Sequence, residues 1–184
     1  MNVKSGVTFH NKFDWQLIKG DTGEIKQSGT AYNVVLDRYY SAISSNDRLR
    51  LTGIAVGTGT GTPATTDTGL FSSLASTGGN LSNVTEIGTH QYSMTLTVVF
   101  TENQANGLLT EVGIGESDGS RLMTHAMLTD AEGHTITVEK TDTDRLTITA
   151  TMYLTIQYPQ NILPHELAIG IARLGCHVEH ATEK

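Results

Sequence analysis

Three groups of residues in this sequence invite chemistry. The first is "IAVGTGTGTPATTDTGL", residues 54–70, where Gly57, Gly59 and Gly61 alternate with Thr58, Thr60 and Thr62. Glycine-rich loops of this kind can turn backbone N–H groups onto a phosphate, but the known versions need further parts. A P-loop places Lys-Ser/Thr after its last glycine; here Pro63-Ala64-Thr65 follows. A dinucleotide fingerprint opens a helix inside a βαβ unit, and no such unit surrounds these glycines. The stretch therefore reads as a strand end at Ile54 and Val56, then a flexible hydroxyl-rich loop. Thr66-Asp67 would then cap a short helix through Leu70, Phe71 and Leu74.

The second group is the histidines. His165, Cys176, His177 and His180 lie close together, with Glu166 and Glu179 beside them. A structural zinc site has paired ligands at both ends of its loop, and only the distal cluster here is tight. The segment reads as an exposed polar tail, with no metal expected. His10, His90, His125 and His134 are scattered and read as surface or strand residues. The third group is the carboxylates. Asp118, Asp130, Asp142 and Asp144 fall in turn sequences, where acids bond the local backbone. Glu111 differs, because it begins a strand between apolar residues. It either points outward at the strand end or is partly buried against an amide or an arginine. A lone carboxylate without an evident partner is weak support for acid–base catalysis, and no nucleophile-elbow motif is present. The chain is expected not to be an enzyme and to hold no cofactor.

The elements that must position these residues are mostly strands. Hydrophobic residues make up 38% and charged residues 17%, with 19 glycines and 3 prolines. Threonine, which favours pleated surfaces, is abundant. "FDWQL" alternates Phe13, Trp15 and Leu17 with polar residues. The turn signal Asp21-Thr22-Gly23 follows, so an N-terminal hairpin is predicted. Val34, Val35, Tyr39, Ala42 and Ile43 recur near helical period, predicting a helix over 33–44. Tyr92, Met94, Leu96, Val98 and Phe100 share one face of a strand. "ENQANG" turns into a strand at "LLTEVGIG", "ESDGS" into "RLMTHAML", "TDAEG" into "HTITVEK", and "TDTD" into "RLTITATMYLTIQY". In that last strand Leu146, Ile148, Ala150, Met152, Leu154 and Ile156 line one face over about 40 Å. Short strands joined by polar turns predict an all-β antiparallel sandwich, jelly-roll-like, with one or two short helices. It spans residues 1–160. Residues 161–184, with Leu167, Ile171 and Leu174 at helical spacing, form a C-terminal helical or extended tail.

Net charge is −7, and the part after residue 50 carries 5 basic against 14 acidic residues. That balance opposes nucleic-acid binding. The single cysteine allows no internal disulfide. No stretch is long and apolar enough to span a bilayer, and the N-terminus lacks the pattern of a signal peptide, so assembly in the cytoplasm is expected.

The order of these pieces resembles a group of small bacteriophage virion proteins associated with tails, collars, baseplates and fibres. The resemblance lies in an ordered set covering residues 31–156. It comprises Asn33-Val34-Val35, the "IAVGTGTGTPATTDTGL" stretch, the alternating strand at 92–100 and Leu109-Thr110-Glu111-Val112-Gly113-Ile114. Leu122 to Leu128 and the hairpin at 136–148 complete it. It implies an all-β building block of the virion without catalysis, repeated by symmetry as a homo-oligomer and touching other virion proteins. The subunit-contact candidates are Gly57, Thr58, Gly59, Thr60, Gly61 and Thr62 in the loop, and Leu167, Ile171 and Leu174 in the tail, which would dock on a neighbouring subunit. Two further roles fit the same features: a capsid decoration protein, or a module binding host-surface glycan through Trp15 or Tyr153.

Overall fold

The computed structural model describes residues 6–45 and 51–157. The predicted tail, with Leu167, Ile171, Leu174 and the histidine–cysteine cluster, lies outside the described residues. In chain order the elements are β1 (Gly6–Lys19), β2 (Ile25–Tyr32), β3 (Val34–Val35), α1 (Asp37–Ser44), β4 (Gly53–Gly57), β5 (Ser73–Gly78), β6 (Asn80–Leu81), β7 (Thr85–Gly88), β8 (Gln91–Phe100), β9 (Gly107–Leu109), β10 (Glu111–Gly115), β11 (Thr124–Met127), β12 (Val138–Lys140) and β13 (Asp144–Gln157). The first sheet runs β2-β1-β13-β8-β6, with β7 also paired to β8. The second runs β3-β11-β10-β4-β5, and β9 pairs with β12. All the pairings are antiparallel. The fold is an all-β sandwich, as the alternation predicts.

The core lies between the two sheets. Phe13, Trp15 and Leu17 from β1, Leu96, Val98 and Phe100 from β8, and Leu146, Ile148 and Ala150 from β13 meet Ile54 and Val56 from β4 and Val112 and Ile114 from β10. Burying each such side chain is worth about 1.5–3 kcal/mol. The outer face of the first sheet is rich in threonine. Its row at Thr97 and Thr149 is joined by a hydroxyl bond of 3.1 Å. The hairpin turn falls where Asp21-Thr22-Gly23 predicts it. Gly23 takes φ +72°, a left-handed conformation glycine adopts without a steric penalty.

Two predicted helices differ from the structure. The helix expected over 33–44 begins only at Asp37, because Val34 and Val35 form β3 against His125 and Thr124. Leu36 is extended, and its N–H donates to the Met123 carbonyl at 2.9 Å. A cross-chain partner thus outweighs the local helical period, helped by the pleat preference of β-branched valines. The helix expected after Thr66-Asp67 does not form. Leu74 belongs to β5, and the Asp67 carboxylate turns back to accept the Ala64 N–H at 2.9 Å. Predicted strands are also shortened. "LLTEVGIG" splits at Thr110 into β9 and β10, "RLMTHAML" narrows to β11, and "HTITVEK" to β12.

The turn acids bond the backbone. Asp118 accepts the Ser120 N–H at 2.9 Å, and Asp130 those of Glu132 and His134 at 3.0 and 2.8 Å. Asp144 goes further. It is buried at the start of β13, takes the Lys26 ammonium on both oxygens at 3.0 and 2.8 Å, and accepts the Thr141 N–H and hydroxyl at 3.0 and 2.7 Å. Burial alone would raise this carboxyl, but Lys26 and Thr141 outweigh it and hold it down at about 2. A carboxyl depressed in the folded state stabilises above its ordinary value of 3.8, and that contribution is lost as pH falls through about 2. The Lys26 side chain is 33% exposed, so solvent screens part of the gain. Lys26→Met is predicted to lower stability at pH 7 by on the order of 1–2 kcal/mol. Urea denaturation should show the difference from wild type shrinking between pH 4 and pH 2.

Candidate functional site, a buried carboxylate–histidine latch

The backbone explains why Glu111 is unusual. On β4 and β10, Ile54, Val56, Val112 and Ile114 face the core, which leaves Gly53, Ala55, Gly57, Glu111, Gly113 and Gly115 on the opposite face. That face is buried as well: every residue of both strands is buried. Part of its cover is the chain between β4 and β5, residues 58–72. Small side chains let this segment approach closely. A Cβ on Gly57 would sit 2.4 Å from the Ser72 carbonyl oxygen, and one on Gly59 would sit 2.4 Å from Cβ of Phe71. Leu70 packs over Leu36, Ala55 and Leu122 in a second, smaller apolar cluster.

Glu111 sits under this cover with no exposed surface. Its Oε1 accepts the N–H groups of Gly59 and Ser72, both at 2.8 Å. Its Oε2 accepts the Phe71 N–H at 2.8 Å and faces Nε2 of His125 at 2.9 Å. A carboxylate offers about four hydrogen-bonding sites, and four groups stand at those of Glu111. His125, on β11 and equally buried, places its other ring nitrogen, Nδ1, 2.8 Å from the Asp67 carboxylate. Each ring nitrogen of His125 therefore faces a carboxylate oxygen. The Phe71 ring packs edge-on against the imidazole, with centroids 4.6 Å apart. Burial would raise the Asp67 carboxyl, but the Ala64 N–H and His125 outweigh it and hold it below its ordinary value. Thr110 adds a further tie, its hydroxyl donating to the Gly59 carbonyl at 2.6 Å.

No family model, curated protein or solved structure matches this chain. The geometry therefore stands on its own residues. It brings together three parts of the sequence: the glycine–threonine stretch, "TEVGIG" and "MTHAML". Glu111 is buried deeper than either expected placement and, among the described residues, meets backbone amides and a histidine rather than an arginine. His125, expected among scattered surface or strand positions, is a strand residue at the centre of the site. Asp67, expected as a helix cap, holds a turn and the histidine. One signal in the sequence marks the place: glycines at 113 and 115, alternating from Glu111, leave room on the acid's own face for a covering chain.

The loop candidates divide. Gly57 and Gly59 are buried and tied to Glu111 or its neighbours, so the first half of the loop is not the free surface expected, and neither residue is available to a neighbour. Thr58 is half-buried, while Thr60, Gly61 and Thr62 are exposed. Of the aromatics considered for glycan, Trp15 is buried, its indole N–H donating to the Thr129 carbonyl at 3.0 Å. Tyr153 is half-buried and stacks on His10 with centroids 4.9 Å apart. Chemically the cluster fixes a loop: its acid and imidazole are enclosed, and their hydrogen-bonding groups face each other and the backbone.

Glu111→Gln turns an N–H group toward amides that need an acceptor. It is predicted to cost about 3 kcal/mol, in the range for breaking a buried, hydrogen-bonded charge. Asp67→Asn, whose carboxylate is 17% exposed, is predicted to cost about 1 kcal/mol. Urea denaturation at pH 7 checks the ranking; equal or neutral effects would count against the latch.

Proposed function

We propose that the chain is a structural subunit of a bacteriophage virion, in the tail, collar, baseplate or fibre attachment, acting by symmetric self-association and by contact with other virion proteins. One observation carries the reading. Three of the six pieces that resemble such proteins, residues 54–70, 109–114 and 122–128, meet at a cluster that locks a loop onto a sheet, as a scaffold requires.

The surface supports the same direction. The first sheet ends in β2 on one side and in β6 and β7 on the other. A sheet edge is a template for pairing, which an assembly can cover with a symmetry mate. The outer face of that sheet presents threonines with Val99 exposed among them. Ile25 on β2, Leu81 on β6 and Ile87 on β7 are exposed along the edges. A face of hydroxyls and single apolar groups suits many weak contacts repeated round a ring.

Mass spectrometry and electron microscopy of purified particles from a phage encoding this chain test the proposal. The expected result is the chain present at a fixed copy number and the sandwich recognisable in symmetric density. Six or twelve copies would place it in the neck or tail, and hundreds would indicate head decoration. Absence from the particle would overturn the reading.

A further inference from the structure

The apolar faces of the long strands outrun the layer that covers them. β1 and β13 each have 14 residues, whereas β4 and β10 each have 5. Cross-strand register arranges the inner-face residues in rows: Phe13–Ala150–Leu96, then Asn11–Met152–Met94, then Phe9–Leu154–Tyr92, and last Val7–Ile156. The first row is fully buried. Met94, Leu154 and Tyr92 are only half-buried, and Val7 at the end is 41% exposed. Helix α1 reaches this end, where Tyr39 stacks on Phe9 with centroids 4.3 Å apart. What remains is a shallow cleft walled by Phe9, Tyr39, Tyr92, Met94, Met152 and Leu154, almost free of polar surface. Such alternation belongs to a sheet face that another element covers.

We infer that this end of the sheet, the cleft together with Val7 and Ile156 beside it, is the docking site of the chain's own residues 162–174. β13 ends at Gln157, three residues beyond Leu154 in the cleft wall. The sequence that follows supplies Ile162, Leu163, Leu167, Ile169, Ile171 and Leu174. Five residues from Gln157 to Ile162 reach about 17 Å when extended. Leu154 lies only about 10 Å back along the strand. A segment tethered at the rim of the cleft acts at an effective concentration of about millimolar. That favours it over the same segment of a second copy at ordinary protein concentrations.

The chain has one cysteine, Cys176, just beyond this segment, and methionines on both sheets. A nitroxide on Cys176 of the full chain, carrying 13C-methyl methionine, reads the contact directly. The Met94 and Met152 methyl signals should fall to half or less of their intensity with a diamagnetic label. Met127, on β11 of the other sheet, should keep its intensity. Leu167→Asp combined with Ile171→Asp should restore Met94 and Met152 without shifting the core signals. A mixture of nitroxide-labelled chain lacking 13C with 13C-labelled chain lacking nitroxide should show no loss. Loss in that mixture would assign the contact to a second copy and overturn the own-chain assignment. Uniform loss, or none, would overturn the docking itself.

Discussion

A carboxyl group with no exposed surface costs several kcal/mol unless its hydrogen-bonding sites are filled, and at Glu111 three N–H groups come from Gly59, Phe71 and Ser72, with the His125 ring nitrogen facing the fourth site. That requirement organises one side of the sandwich. The amides arrive from a segment that otherwise has little reason to hold one path, since it is rich in glycine and threonine. Breaking the pair exposes a charge to an apolar setting, so the loop has one satisfactory position and many costly ones. The net gain over an apolar core is small. What the arrangement supplies is a unique placement of residues 58–72, backed by His125 and Asp67 and by the Thr110 hydroxyl.

The same constraint explains the glycines. Read as a motif, "GTGTGT" suggests a ligand cradle. In the fold, Gly57 and Gly59 lack side chains because Ser72, Phe71 and Glu111 occupy the space a Cβ would need. The anion that the loop amides hold is the chain's own. The outward half of the loop, Thr60, Gly61 and Thr62, is left exposed, and it stands on a fixed base. In the assembly proposed for this chain, such a base would help, because a loop held in one conformation loses less entropy on association.

The long strands β8 and β13 were legible in the sequence because their faces alternate for ten or more residues with one side apolar, whereas β1 was legible only over Phe13, Trp15 and Leu17, since Asn11 interrupts its apolar row. The hairpin was legible because Asp21-Thr22-Gly23 fixes a local turn. Neither depends on distant partners. Val34 and Val35 were misleading because their strand partners lie some ninety residues on, at His125 and Thr124. The latch was hidden for the same reason. Glu111 meets Gly59 from 52 residues away and Phe71 from 40, and His125 meets Asp67 from 58. Periodicity is silent about pairings at that range. Only the small residues alternating on the Glu111 face hinted that chain lies over it.

Native-state hydrogen exchange of the Gly59, Phe71 and Ser72 amides tests the latch most directly. If Glu111 anchors the loop to the sheet, these three amides open only with the sandwich, at the same free energy as the amides of Val112 and Ile114 in β10. Opening of all three at a much lower free energy, independent of β10, would show a loop held by nothing but its own fluctuations and would contradict the account.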